Sequence, residues 1–138
     1  MKEPLLIDHL TSMEVRDMLG AGYDTVIVPR GATEQHGPAL PLLVDSEHGL
    51  QTALRAARWV GRTLEGPVIT VGHSIEHSGF AGTVSLAKGT LAAIIHDVAE
   101  SHARSRFRLV YFGIAHGGNN PSCRRRFPSW NPNGRDAL

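Results

Sequence analysis

The segment at residues 33–38, Thr-Glu-Gln-His-Gly-Pro, carries residue types that bind metals. Alternate side chains of an extended chain point the same way, so Glu34 and His36 can face one site while Gln35 faces away. The chain then returns to deliver Asp45 at the start of the next helix. Two carboxylates and an imidazole suit a divalent metal of the zinc, manganese or iron kind. The plainer alternatives are a surface glutamate, a histidine with ordinary hydrogen bonds and an aspartate that only caps a helix.

Two later segments add candidates. His116 follows a short apolar run and precedes two glycines, which let a metal or substrate approach the backbone. A glycine turn with an incidental histidine is the alternative. Glu76 or His77 could act as a base or orient a metal ligand, although the glycines after them could simply shape a loop. The remaining histidines lack partners at useful spacing and are interpreted as structural or solvated: His9, His48, His73, His96 and His102.

The elements that must position these residues alternate between strand and helix. A capping-box spacing at Thr11 and Glu14 predicts a short first helix to about Leu19. Continuous apolar, β-branched runs predict buried strands at 25–29, 68–71 and 109–112. Apolar residues at helical spacing predict helices from 46 to about 64 and from 91 to about 102.

This alternation predicts an α/β fold, because strands joined through helices pair in parallel and carry helices on their faces. We therefore expect a three-layer sandwich with a mainly parallel sheet. Ligands collect beyond the carboxyl ends of such strands, where Glu34, Glu76 and His116 all fall. Three loops that reach one edge favour a site more than any single residue does. Three strands make a small sheet for this architecture, which leaves an incomplete version open.

The last residues differ in character from the rest. Residues 121–138 contain three prolines and follow neither the helical nor the strand period. They also hold four arginines and one aspartate, a net charge of +3. We expect residues 1–120 to form the α/β domain and residues 121–138 to form an irregular basic tail. A truncation or an altered reading frame near residue 121 would explain the change.

Composition limits the partners and the compartment. The formal net charge is +1, which gives no general case for nucleic acid as a partner. No apolar run approaches the roughly 18 residues that span a membrane, so we expect no membrane association. A single cysteine, Cys123, and no secretion-signal pattern at the start of the chain predict a cytoplasmic location. A flavodoxin-like nucleotide module would need a phosphate loop after the first strand, where Glu34 would repel phosphate.

The candidate residues together resemble the creatininase family of metal-dependent amidohydrolases. Residues 31–41, followed by Asp45, are similar to the opening motif of that family. Residues 72–86 and the His-Gly-Gly-Asn segment at 116–119 resemble its middle and third motifs. Ala39 departs from a second histidine found in many members, and nothing after Asn120 resembles the later His-Ala-Gly and Glu-Thr-Ser segments of the family.

The resemblance implies a homo-oligomer, often a hexamer, with one or two divalent metals per chain. Members hydrolyse a C–N amide bond in a small cyclic amide, a formamide or a modified peptide. By position, four residues match the metal ligands of the family, with Asp45 bridging two metals: Glu34, His36, Asp45 and His116. A metal-activated water would attack the amide. Because the later motifs are not found, the alternative is an inactive remnant that acts at most as a metal-binding or oligomerising fragment.

Overall fold

The computed structural model describes residues 5–119 and contains three helices and three strands in that range. Short 3₁₀ turns lie at Ile7–His9 and Ile75–His77. No helix in this range is both long and apolar enough to cross a membrane. In chain order the main elements are α1 at Ser12–Gly20, β1 at Thr25–Arg30, α2 at Val44–Val60, β2 at Thr63–Glu65, α3 at Lys88–Arg104 and β3 at Leu109–Ile114.

The sheet is parallel, with β1 between β2 and β3. Successive side chains of β1 point to opposite faces. Val26 and Val28 pack with Leu64 on one face, where α1 and α3 add partly buried side chains. Ile27 packs on the other face against Ala53 and its neighbours in α2. Helices therefore cover both faces of a parallel sheet, which confirms the predicted three-layer α/β fold.

The first helix begins where the sequence predicts. The backbone N–H of Thr11 donates to Glu14 Oε2 over 2.7 Å. In return, the N–H of Glu14 donates to Thr11 Oγ1 over 3.3 Å. These two bonds form the predicted capping box and satisfy donors that the first helical turn leaves open.

The second strand lies earlier than predicted, and the predicted strand at 68–71 is wrong in its position. Helix α2 ends at Val60 because the next two residues, Gly61 and Arg62, have φ angles of 73° and 48°. Strand β2 follows at Thr63–Glu65, where the apolar spacing predicts the last residues of the helix. Pro67 has no N–H to continue the ladder. Pairing returns at Ile69, whose N–H donates to the Pro29 carbonyl over 2.9 Å.

Strand β3 forms one side of the described sheet. It pairs with β1 from Leu109 to Ile114, two residues beyond the predicted end. Tyr111 is the register partner of Ile27 and so lies on the α2 face of the sheet. Leu109 and Tyr111 are 56% and 60% exposed, which shows that helix α2 does not cover this part of the strand. The described part of the chain therefore leaves an apolar strip uncovered along β3.

Candidate metal centre

Three side chains meet beyond the carboxyl ends of the strands. Glu34 lies in the loop after β1, Asp45 in the first turn of α2 and His116 directly after β3. His116 Nδ1 is 3.0 Å from Asp45 Oδ2 and 3.3 Å from Glu34 Oε1. One ligand atom from each residue lies within 4.8 Å of the other two. The structure thus brings together three of the four residues predicted as metal ligands in a single cluster.

The cluster fits a divalent cation. Glu34 Oε2 and Asp45 Oδ2 are buried, and neither accepts a hydrogen bond within residues 5–119. A buried carboxylate oxygen without a donor is costly, and a cation at this point would remove that cost. Two carboxylates and one imidazole are a donor set that zinc and manganese accept. The cluster therefore has the chemistry of a metal centre.

Asp45 does not cap its helix, although capping was the plainer alternative. The N-cap position of α2 is Leu43, and no side chain among residues 5–119 caps this end. Instead, the two carboxylate oxygens of Asp45 face different histidines. Oδ2 faces His116, and Oδ1 lies 3.2 Å from His36 Nε2. His36 is the fourth predicted ligand, and it reaches the cluster through Asp45.

The ring of His36 is held at both nitrogens. Its Nδ1 donates to the Glu34 carbonyl over 3.0 Å, which leaves Nε2 to face Asp45. Burial lowers the pKa of His36, but the Glu34 carbonyl and the Asp45 carboxylate outweigh burial and raise the pKa above its ordinary value. The same two contacts orient Nε2 toward the Asp45 oxygen that His116 does not use.

Gln35 faces away from the cluster, as alternation predicts, and contacts His77 instead. Gln35 Oε1 accepts from the N–H of Gly37 over 3.0 Å, so its amide nitrogen donates to His77 Nδ1 over 2.9 Å. The proton of the neutral His77 ring is therefore on Nε2. That nitrogen lies 3.7 Å from Glu34 Oε1. His77 lies beside the cluster with its proton-bearing nitrogen turned toward Glu34.

Glu76, the other predicted catalytic residue, is exposed at the margin of the centre. A hydrogen bond from its own backbone lowers the pKa of Glu76. Burial, the next largest influence, raises the pKa, while the nearby imidazoles of His116, His73 and His77 lower it further. The Glu76 side chain is thus a stable negative charge on the solvent side of the cluster.

Two residues close to the centre were not identified from the sequence. The sequence indicates Asn119 only as part of a motif, and it predicts that His73 is structural or solvated. The structure buries Asn119 completely, and the His73 carbonyl contacts the ring of His116. A backbone carbonyl leaves no trace in residue types, so only the position of Asn119 after two glycines could have drawn attention.

The fold and this cluster define an α/β protein with a carboxylate–imidazole centre suited to a divalent metal. A family model described as creatinine amidohydrolase matches residues 8–137. The chain therefore belongs to the creatininase family, which confirms the resemblance found in its motifs. The match includes most of residues 121–138, which lie outside the described range. The division of the chain at residue 120 stays a prediction.

Similar proteins agree with this assignment. The chain is 35% identical over 129 residues to a mycofactocin precursor peptide peptidase of Mycobacterium ulcerans, covering 86% of this chain and 50% of that protein. Two creatininase structures, a manganese form and a mutant of Zn-Zn type, each match with a TM-score of 0.80 at 27% identity. Each match covers 87% of this chain and 48% of the other. The chain spans about half the length of these relatives.

Proposed function

We propose that this chain carries the metal-binding part of a hydrolase that cleaves a C–N amide bond with a metal-activated water. The substrate class is a small cyclic amide, a formamide or a modified peptide. Membership of the creatininase family supports the reaction class. The peptidase name of the mycobacterial relative supports a modified peptide within that class.

The observation that carries the proposal is the convergence of Glu34 from the loop after β1, Asp45 from the first turn of α2 and His116 from the segment after β3. His116 is far in sequence from the other two residues, and two buried carboxylate oxygens of the cluster accept no hydrogen bond from residues 5–119. A fold that depended only on packing would gain nothing from this arrangement, since buried carboxylates destabilise a protein unless they are compensated. A bound cation compensates them.

Each residue of the centre then has a role. Glu34, Asp45 and His116 would hold a first metal, and His36 with Asp45 Oδ1 would offer donors for a second. A divalent metal at such a site lowers the pKa of a bound water and polarises an amide carbonyl. His77 carries the proton of its neutral ring at Nε2, which faces Glu34, and would help to orient that carboxylate in the centre. Glu76 orients these imidazoles by its charge from the solvent side.

The proposal includes a homo-oligomer in the cytoplasm. Exposed apolar side chains on β3, Leu109 and Tyr111, support association with other copies, because monomers rarely expose contiguous apolar strips. The single cysteine of the sequence supports a reducing compartment. Light scattering of the purified protein tests the assembly, and a strict monomer would contradict it.

Metal binding is the first test. Protein stripped with a chelator is titrated separately with Zn²⁺ and Mn²⁺ in a calorimeter, and bound metal is counted by elemental analysis. We expect one or two metals per chain in the wild type. Glu34→Gln and His116→Gln should each abolish the tightest site, because each removes one of three donors. Glu47→Gln on the exposed face of α2 and His96→Gln on α3 are matched controls that should bind as the wild type does.

Hydrolysis is tested next on the metal-loaded protein. Cyclic amides, formamides and short peptides are incubated with it, and release of amine is followed. Turnover that His116→Gln abolishes and His96→Gln retains supports the proposal. Stoichiometric metal without turnover on any of these classes would overturn the enzymatic part and leave the alternative, a metal-binding fragment. A folded wild type that binds no metal would overturn the whole proposal.

A further inference from the structure

Asn119 is fully buried next to the metal centre and contacts two separate segments of the chain. Its Oδ1 accepts from the N–H of His73 over 3.1 Å. Its Nδ2 donates to the carbonyl of Gly31 over 2.9 Å and to that of Arg30 over 3.3 Å. The amide orientation is unambiguous, since the N–H must meet an oxygen and the two carbonyls must meet a donor. Asn119 thus joins the end of β1 to the loop that follows Ile69.

The same loop determines how the ring of His116 is oriented. His116 Nε2 lies 2.9 Å from the His73 carbonyl and 3.3 Å from Ser74 Oγ, and Ser74 is completely buried. A carbonyl oxygen only accepts, so Nε2 must carry a proton. Nδ1 is then the nitrogen that faces the two carboxylates. A metal held by Asp45 and Glu34 would be bound through Nδ1 of His116.

One residue, His73, connects these two sets of contacts. Its N–H is held by Asn119, and its carbonyl accepts from His116. The backbone on both sides of this contact is closely packed. A Cβ placed on Gly72 would lie 2.5 Å from Asn119 Oδ1, and one placed on Gly118 would overlap the His73 carbonyl. The amide of Asn119 therefore helps to hold the backbone that carries the His73 carbonyl.

We propose that Asn119 is a positioning residue for His116. By holding the backbone at His73, it keeps the proton of His116 on Nε2 and presents Nδ1 to Glu34 and Asp45. Outer partners of this kind, which fix the tautomer of a ligand, are a general feature of metal sites. The value of this role to the protein rests on the proposed metal function, but the control of the tautomer does not.

The tautomer is measured without metal. Two-bond ¹⁵N–¹H spectra of the imidazoles are recorded for chelator-treated protein at alkaline pH, where an ordinary histidine is neutral. The signal of His116 is identified by its loss in His116→Gln. We expect a single tautomer with the proton on Nε2 in the wild type. In Asn119→Ala the two tautomers should mix, while Gln51→Ala, an exposed amide on α2, should leave the signal unchanged.

The metal dissociation constant is then measured by competition with a chromophoric chelator. We expect Asn119→Ala to weaken binding of Zn²⁺ by about 10- to 100-fold, the usual effect of losing an outer partner. Asn119→Asp should behave similarly, because it places an oxygen against two carbonyls. Gln51→Ala should bind as the wild type does.

Several results would overturn the inference. One is a wild-type His116 with its proton on Nδ1, a result that needs no variant to fold. Another is a folded Asn119→Ala with an unchanged tautomer, whether its metal affinity is unchanged or weaker, since weaker binding alone would reflect lost packing. A wild type that binds no metal, yet loses its single tautomer in Asn119→Ala, would overturn the proposed function and support this inference.

Discussion

The apolar core and the candidate metal centre both involve β1 and its following loop but depend on different physics. Val26 and Val28 of β1 are fully buried among other apolar side chains, where total volume and area decide stability. A few residues later Glu34 is nearly as buried, yet it lies beside a second carboxylate. Burial stabilises the first region and costs free energy in the second. The two regions should therefore respond to substitution independently.

The largest expected effect is in the core. Leu64 is fully buried in the cluster around Val26 and Val28, so Leu64→Ala should lower the free energy of unfolding by about 2–5 kcal/mol. Urea unfolding followed by circular dichroism measures this. Leu109→Ala, at a leucine 56% exposed in another strand of the sheet, should cost less than about 1 kcal/mol. If the folded fraction of Leu64→Ala lost its metal affinity, the two regions would not be independent.

A substitution at the candidate metal centre should lower the stability of the metal-loaded protein and leave that of the metal-free protein nearly unchanged. At a metal concentration of 100 times the dissociation constant, bound metal adds about 2.7 kcal/mol to the free energy of unfolding. Asp45→Asn should remove most of that gain, because Asp45 faces both histidines of the centre. Without metal, the variant should differ from the wild type by only about 1 kcal/mol, as it loses one of two neighbouring carboxylates. A large loss in the metal-free protein would mean that Asp45 serves the fold.

The smallest effect concerns His102, a titratable group beside the core. Its ring meets that of Phe107 edge-on with 5.3 Å between centroids. Burial lowers the pKa of His102 below its ordinary value. The unfolded chain then binds the proton more readily, so stability is fully present above about pH 6.5 and falls as the pH drops toward the folded-state pKa.

His102→Gln should flatten that part of the pH profile. The measurement is the free energy of unfolding of both proteins from pH 8 down to about pH 5, compared as a difference. His96→Gln is the matched control, since His96 lies on an exposed face of the same helix. A difference that stayed constant over the whole range would contradict an altered pKa at His102.

Much of the fold could be predicted because its signals are local. The Thr11–Glu14 pair, the helical period of α3 and the β-branched run of β1 each specify an element without reference to the rest. The position of β2 could not be read in this way. Leu64 falls at the spacing of the apolar positions in the preceding helix, and the segment becomes a strand because Gly61 and Arg62 turn the chain beside β1.

The candidate site could also be predicted only in part from local signals. Residue type and alternation indicated Glu34 and His36, and the return of the loop indicated Asp45. The metal-binding roles of these residues and of His116, and the catalytic roles of Glu76 and His77, stay predictions. The contact between His116 and the His73 carbonyl could not have been predicted, because it involves a backbone atom brought close by the fold. Side-chain chemistry can be read from residue types, whereas the backbone groups that orient it cannot.

The hydrogen bonds made by the Asn119 side chain also affect the expected order of folding. The capping box at Thr11 joins residues three apart, whereas the bonds from Asn119 to Gly31 and Arg30 span 88 and 89 residues. Contacts between distant residues require closure of a long loop and form slowly compared with local turns. During refolding, the circular dichroism signal of the helices should therefore return before the hydrogen bonds of Asn119 form. Metal uptake would then be the last step of refolding, and the rate of uptake would report the rate of that step.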